Sequence, residues 1–261
     1  MSHFPDWESF EIGPAAADQP VAFCADLSPA SLLSGYRRGL IPFPAASEYI
    51  RDINEFRYER QVPLVGGDDP YWVAWWCPDP RPVIDVGKVH LGRNVRKLLR
   101  RENLMTTADR QFQRVAEECR AGREPRWLTD TLLESMVELH RQGWAHSIEV
   151  WRDDDLVGGA LGAGLGRTLS GDSMFSRRPD AARVAVADMA ARLAQAGGLR
   201  IDAQWDSPFL RSLGAEPVPR ERYLRLLDED ELARRRPLPA GREPALRLIE
   251  WKPVEPERGG R

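Results

Sequence analysis

Two polar residues, Asp202 and Gln204, sit two apart in the segment LRIDAQW, residues 199–205, which alternates with the two-residue period of a strand. At that spacing both side chains leave the same face. A carboxylate beside an amide can orient a nucleophile and polarise a carbonyl; it can also be the polar rim of a half-exposed strand, and the pair alone leaves both readings open. Asp172, Ser173 and Arg177 crowd the other end of the same unit, GDSMFSRRPDAARVAVADMAARLAQAGGLRIDAQ. This reads as a strand end, a helix and a second strand. Asp180 offers the helix N-cap, and Gly197-Gly198 stops it. Junctions of strand ends and a helix N-terminus in mixed sheets are where ligands bind.

With 261 residues, 42% of them hydrophobic, the chain can bury a substantial core. A net charge of −3 excludes a wholesale nucleic-acid coat, so any such contact must be a local basic patch. Cys24, Cys77 and Cys119 are scattered and odd in number, without a CxxC, which implies neither a disulfide framework nor a zinc site. His140 and His146 are six apart, the wrong spacing for one helical face, and are expected to be structural. No metal is expected. No apolar run approaches the roughly 20 residues of a membrane span. MSHFPDWESF is acidic and lacks the features of a signal peptide, so a soluble cytoplasmic protein is expected.

The elements that must position the site follow from local signals. Residues 1–20 read as an irregular lead-in. Ser28-Pro29 starts a short helix that turns Leu32, Leu33 and Tyr36 inward and stops at Gly39. Residues 45–70 are densely charged but seeded with Tyr49, Ile50, Ile53 and Phe56 at spacing that hints at a helix. YWVAWW is an aromatic strand whose tryptophans pack in a core or wall a ligand cleft. In GRNVRKLLRR, Arg93, Arg96, Lys97, Arg100 and Arg101 share one broad helical face while Val95, Leu98 and Leu99 point the other way. That face carries no acid, which favours a phosphate-binding surface over an ordinary solvated one. Two further helices, near 109–120 and 129–142, precede strands HSIEVW, LVGGALGAGLG and RTLSGD. Beyond Asp228 only ALRLIEW is expected to order. Helices, a three-strand meander, then helix, strand and helix predict an α/β (α+β) fold. Its second half is an acetyltransferase-like (GNAT-like) mixed-sheet sandwich. Acyl-CoA enzymes of that shape need an R/Q-x-x-G-x-G turn to cradle the pyrophosphate. SRRPDAAR stands in its place, so no coenzyme A, and no other cofactor, is expected.

DLSPASLLSGYRRGLIPF, WWCPDPRPVI, NVRKLLRR, RWLTDTLLESMVELHRQGWAHSIEVW, LVGGALG, GDSMFSRR, IDAQ and SLGAEPVPRERYL, in this order, resemble the leucyl/phenylalanyl-tRNA–protein transferases over about residues 22–227. The resemblance implies a small N-terminal domain (1–85, with an insertion at about 45–70), an acetyltransferase-like catalytic domain (86–227) and a C-terminal extension (228–261). It implies transfer of leucine, phenylalanine or methionine from aminoacyl-tRNA to the α-amino group of proteins beginning with Arg or Lys, creating an N-degron. A monomer without a membrane partner is expected. The basic helix corresponds to the tRNA acceptor-stem contact, Trp127 to a tryptophan near the terminal adenosine, and Asp202 with Gln204 to the reacting centre. An amide is no strong base, so Gln204 is expected to position and polarise, with Asp202 fixing its orientation and a ribose hydroxyl or water taking the proton. Asp172, with Ser173, Met174 and Phe175 in GDSMFS, replaces the glutamate of GESMFS; it supplies an anionic receiver for a cationic acceptor. Ala160 and Leu169 stand at side-chain-pocket positions where the family has methionine and often an aromatic residue. Phe43 replaces a tryptophan, and IDAQ an IDCQ. These departures leave open another aminoacyl-tRNA or a small-molecule amine acceptor. An acetyltransferase or a non-catalytic tRNA-binding module are the remaining rivals.

Overall fold

The computed structural model describes residues 7, 10–12, 15–124, 126–231 and 237–251. The opening residues, expected to carry no leader, lie largely outside this range. Among the described residues no helix is long and apolar enough to cross a membrane.

The first part of the chain builds a four-stranded sheet from β1 (Ala22–Cys24), β2 (Ile41–Pro44), β3 (Leu64–Gly66) and β4 (Val73–Trp76), in the order β2-β4-β1-β3. Helix α1 (Pro29–Arg37) starts where expected: the Ser28 hydroxyl accepts from the Ser31 N–H at 3.3 Å, and Gly39, at φ 73°, follows its end. Leu32 and Tyr36 are buried, Leu33 half-buried. The charged 45–70 stretch does form a helix, α2 (Glu48–Tyr58). Most of its apolar residues do not face inward, however. Tyr49 and Phe56 are 72% and 92% exposed, and the helix is held by Tyr58, the Arg51–Asp69 pair and a hydrogen bond from Asn54 to the Tyr71 carbonyl.

After Trp76 the chain crosses to an eight-stranded sheet. In chain order its elements are β5 (Arg81–Asp85), α3 (Arg93–Arg101), β6 (Leu104–Ala108), α4 (Phe112–Arg120), α5 (Asp130–Arg141), β7 (Ala145–Arg152), β8 (Asp155–Leu165), β9 (Thr168–Ser176), α6 (Ala181–Gln195), β10 (Arg200–Asp202), α7 (Pro208–Ser212), β11 (Ala215–Val218), α8 (Arg220–Glu231) and β12 (Glu243–Pro244). Strand order is β11-β5-β10-β9-β8-β7-β6-β12. The antiparallel meander β7-β8-β9 and the β9-α6-β10 crossover to a parallel neighbour give the expected acetyltransferase-like α+β layout. The change of sheet falls before Arg81, so residues 81–85 pair with β10 and β11 rather than with the N-terminal sheet.

One core packs α6 against the large sheet; Gly158 permits this, since a Cβ there would lie 2.6 Å from that of Ala181. The other core joins α1, α4, α5 and α8 to the opposite face and runs on into the small sheet through Trp75 and Ile41. Trp7, in the lead-in read as irregular, is fully buried there, 4.9 Å from the Trp75 ring. Asp180 stands at the start of α6 but does not cap it. It adopts φ 65° and turns its carboxylate to Arg183, and the Ser176 hydroxyl accepts the Ala182 N–H instead.

The ALRLIEW segment orders as expected, as a 3-10 turn over Ala245–Ile249. With β12 it straps the β6 edge. Arg192, fully buried in α6, donates to Asp188 at 2.6 Å and to the carbonyls of Pro239 and Gly241. Arg247 reaches Asp188 at 2.6 Å from the strap itself.

Candidate active site

Strand β10 ends at Asp202, a residue with no exposed surface, which removes the half-exposed-rim reading. All four of its acceptor positions are occupied. Oδ1 accepts from Arg81 Nε at 2.8 Å and from the Gln204 N–H at 2.9 Å; Oδ2 accepts from Arg81 Nη2 at 2.7 Å and the Tyr223 hydroxyl at 2.8 Å. Burial, then the charge of Asp202, pushes the Tyr223 phenol well above its ordinary range, so it stays a donor. The alternation expected through Gln204 does not persist. Gln204 adopts φ 59°, a left-handed turn that its own N–H to Asp202 pins. The two side chains still reach the same side of the sheet. Gln204 Nε2 donates to Ser170 Oγ at 2.9 Å and to Asp172 Oδ1.

Asp172 occupies a bulge. Ser173 pairs with Leu161 and Gly171 with Gly162, which leaves Asp172 without a cross-strand partner. Gly162 is required there, because a Cβ would lie 1.9 Å from the Ser170 carbonyl. Although the residue keeps some exposure, its Oδ2 is enclosed and has no hydrogen-bond partner. Burial pushes the carboxyl up to about 7; the Asp202 charge adds to this, while the hydrogen bonds from Ser170 and Gln204 partly offset it. Asp172 therefore titrates near neutrality.

Beside this cluster four aromatic rings meet, Phe43 and Trp76 from the small sheet, Trp127 from the α4–α5 loop and Trp205 from the loop after β10. Phe43 lies 6.4 Å from Trp127 at 36°, and Trp205 packs against Phe43 at 5.8 Å and 89° and against Trp76 at 5.5 Å and 65°. The YWVAWW tryptophans divide: Trp75 is core, while Trp76 joins this cluster. On the α6 side a narrow cleft, with a cavity volume of only about 20 Å³, is lined by Ala160, Ser173 and Met174 with Val186, Met189 and Ala203. Leu169 and Phe175 line neither feature; they are buried in the two cores on opposite faces.

Sequence reasoning missed Arg81, Tyr223, Ser170, Trp205 and Arg123. Arg123 Nη1 donates to Ser173 Oγ at 3.2 Å and Nη2 to the Met174 carbonyl at 2.6 Å, tying the α4–α5 loop to β9. The Arg-Pro after PDP and the Trp directly after IDAQ were the available signals.

On α3 the expected basic face needs one correction. Arg93, Lys97, Arg100 and Arg101 are exposed, but Arg96 is half-buried. It donates to the Leu91 carbonyl at 3.0 Å and the Ile249 carbonyl at 3.3 Å, because the C-terminal strap covers that side of the helix.

Residues 83–228 match the family model described as leucyl/phenylalanyl-tRNA protein transferase. The chain is 36% identical over 222 residues to the leucyl/phenylalanyl-tRNA–protein transferase of Aromatoleum aromaticum, covering 84% of each. It is 38% identical over 215 residues to that of Chromohalobacter salexigens, covering 81% of this chain and 75% of that one. With that of Teredinibacter turnerae it shares 34% over 248 residues, 90% and 87% of the two. Among solved structures, a C-terminal domain from Agrobacterium fabrum aligns at 14% identity and a TM-score of 0.33 over 83% of this chain and 63% of that one, too loose a likeness to argue from. The extent and identity of the matches to the transferases decide the matter: the chain belongs to the leucyl/phenylalanyl-tRNA–protein transferase family.

Proposed function

We propose that this chain transfers leucine or phenylalanine, with methionine as a further donor, from aminoacyl-tRNA to the α-amino group of a protein that begins with Arg or Lys. The observation that carries the mechanism is the pinned amide of Gln204. Both donor contacts of Nε2 are taken by Ser170 and Asp172, and among the described residues no donor reaches Oε1. Oε1 is then the acceptor that orients the incoming amine against the ester carbonyl.

An aminoacyl ester is already activated, so the site must orient, deprotonate and stabilise. The acceptor's α-ammonium, whose ordinary pKa is about 7.7–8.0, meets Asp172 at about 7, a near match for proton transfer. The amine nitrogen attacks the ester carbonyl, the C–N bond forms, and the ester C–O bond breaks. The ribose oxygen leaves with the second proton of the attacking nitrogen, relayed to it through a neighbouring hydroxyl or water. Asp202 takes no proton in this scheme, because Arg81, Tyr223 and the Gln204 N–H fill its acceptor positions; it is a positioning residue.

The slot between Phe43 and Trp127 suits the terminal adenosine, since two rings about 6.4 Å apart need little widening to flank a base. The cleft beside Ala160, Met174 and Met189 has the apolar lining that the donor's side chain needs, and it must open to admit that side chain. Arg93, Lys97, Arg100 and Arg101 offer sequence-independent phosphate contacts. We assign residues up to about 80 to the small domain and the rest to the catalytic domain with its strap. The supply of charged tRNA places the reaction in the cytoplasm. Incubation with a full pool of charged tRNAs and an Arg-initiated peptide tests the proposal. The peptide should gain the mass of leucine or phenylalanine; labelling by a different residue, or none, overturns it.

A further inference from the structure

We infer that Trp205, held by Phe43 and Trp76, receives the cationic side chain of the acceptor's first residue through a cation–π contact. The inference rests on the transferase reading above and names a group that would distinguish Arg and Lys from neutral residues. Trp205 follows Gln204 directly, and the Gln204 amide reaches Asp172, so the indole borders the reacting centre. It is 38% exposed, unusual for an indole wedged between two other rings at 5.8 and 5.5 Å. Those rings, at 89° and 65° to it, restrict its movement and leave open surface at the mouth of the site.

The carboxylates nearby are otherwise engaged. Asp202 is fully buried against Arg81. Asp172 gives Oδ1 to Ser170 and Gln204, and its Oδ2 is enclosed. Asp206, the next acid in the chain, pairs with Arg211. A guanidinium or ammonium arriving beside Gln204 therefore meets no uncommitted anion among these three, but it does meet an indole, the ring with the strongest attraction for a cation. The Phe43–Trp127 slot is the place for the adenosine, which leaves Trp205 to the acceptor.

The test compares two peptides identical except for the first residue: arginine, or citrulline, which has the same shape without the charge. Transfer from charged tRNA by the unaltered protein should favour the Arg peptide in kcat/KM. Trp205→Leu should reduce the Arg-to-citrulline ratio roughly three- to thirtyfold. Trp205→Phe, which keeps a ring and most of the packing, should retain part of the preference, and it serves as the reading if the leucine variant does not fold. An unchanged ratio in the variant that folds overturns the inference, as does a rise confined to the KM for charged tRNA, which would place the indole on the nucleic acid. If the unaltered protein labels neither peptide, the transferase reading itself fails.

Discussion

Asp202→Ala should be a folding variant before it is a catalytic one. It removes the acceptor of four hydrogen bonds and strands the Arg81 guanidinium, whose side chain is 1% exposed, without a counter-charge. Breaking a buried pair by deleting one partner costs about 3–5 kcal/mol, a large part of a domain's usual 5–15. With a urea slope near 3 kcal/mol per M for a chain of this size, the unfolding midpoint should fall by about 1–1.7 M. The loss of activity in this variant is therefore not interpretable alone. Replacing the whole buried polar group, with Arg81→Met, Asp202→Leu and Tyr223→Phe together, separates the two effects. Apolar replacement of such a group is often neutral, so the midpoint should return to within about 1 M of the unaltered protein. Turnover should not return, because the Gln204 N–H has lost the acceptor that pins its left-handed turn. A displacement of about 1 Å there is enough for a hundredfold loss in kcat. Urea denaturation and single-turnover transfer from charged tRNA, read side by side, make the check. A triple variant that stays as unstable as Asp202→Ala, or one that regains turnover, refutes the argument.

Three further outcomes are expected. The Asp172 carboxyl is raised to about 7 from an ordinary value near 4, so between those values the folded state holds a proton that the unfolded state has lost, and stability from this group falls as pH rises. The stability advantage of Asp172→Asn over the unaltered protein should thus grow by about 2–3 kcal/mol from pH 5 to pH 8, while the acidic limb of kcat/KM near pH 7 should disappear; thermal melts and rate profiles across that range check both. Arg100→Glu with Arg101→Glu should weaken tRNA binding and lower the slope of log K against log salt by about 1.4–1.8, whereas Arg96→Glu should cost about 1–3 kcal/mol of stability through its two carbonyl contacts; a binding series from 50 to 200 mM salt with parallel melts distinguishes them. Removing residues 237–261 should destabilise by about 3 kcal/mol or more and promote association through the bared β6 edge, since Arg192 loses the Pro239 and Gly241 carbonyls and Asp188 loses Arg247; urea melts and light scattering report the two effects.

What the sequence disclosed follows from the range over which each signal acts. The Ser28-Pro29 start signal and the strand segments HSIEVW, LVGGALGAGLG and RTLSGD are local, and the helix and meander they imply are present. Asp202 and Gln204 were legible as a pair, but the geometry that joins them was not: a spacing of two fits a strand and a left-handed turn equally well. Arg81 stands 121 residues from the carboxylate it clamps, and nothing in its own neighbourhood announces that partner. Arg96 failed for the same reason. Periodicity put it on the basic face, and only a strap 153 residues away takes it off. Trp7 shows the limit at the other end, one of three aromatics in a segment without period, buried against Trp75 of the small sheet. Asp180 looked like a cap, but its left-handed backbone aims the side chain at Arg183.

The shorter acid at Asp172 links these observations to choice of substrate. A carboxyl on a bulge, with one oxygen bound to Ser170 and Gln204 and the other enclosed, is a poor ion-pair partner for a cationic side chain, which would have to leave solvent to reach it; the α-ammonium held beside Gln204 Oε1 has only a proton to pass. The same enclosure, helped by the neighbouring negative charge of Asp202, raises its pKa to about 7 and makes it fit to take a proton from an amine. Enclosure therefore moves Asp172 from recognition to proton transfer, and recognition of the acceptor's charge must lie elsewhere at the mouth. Asp172→Glu tests this exchange of roles. One methylene more should carry the carboxyl past Gln204 toward the mouth, lower its pKa as solvent reaches it, and shift the acidic limb of kcat/KM below pH 7. It should also lessen the cost of losing Trp205, because an extended carboxylate can then meet the arriving cation. If Trp205→Leu has the same effect in the unaltered protein as in the Asp172→Glu variant, the two groups act independently, and the division of labour argued from their geometry is wrong.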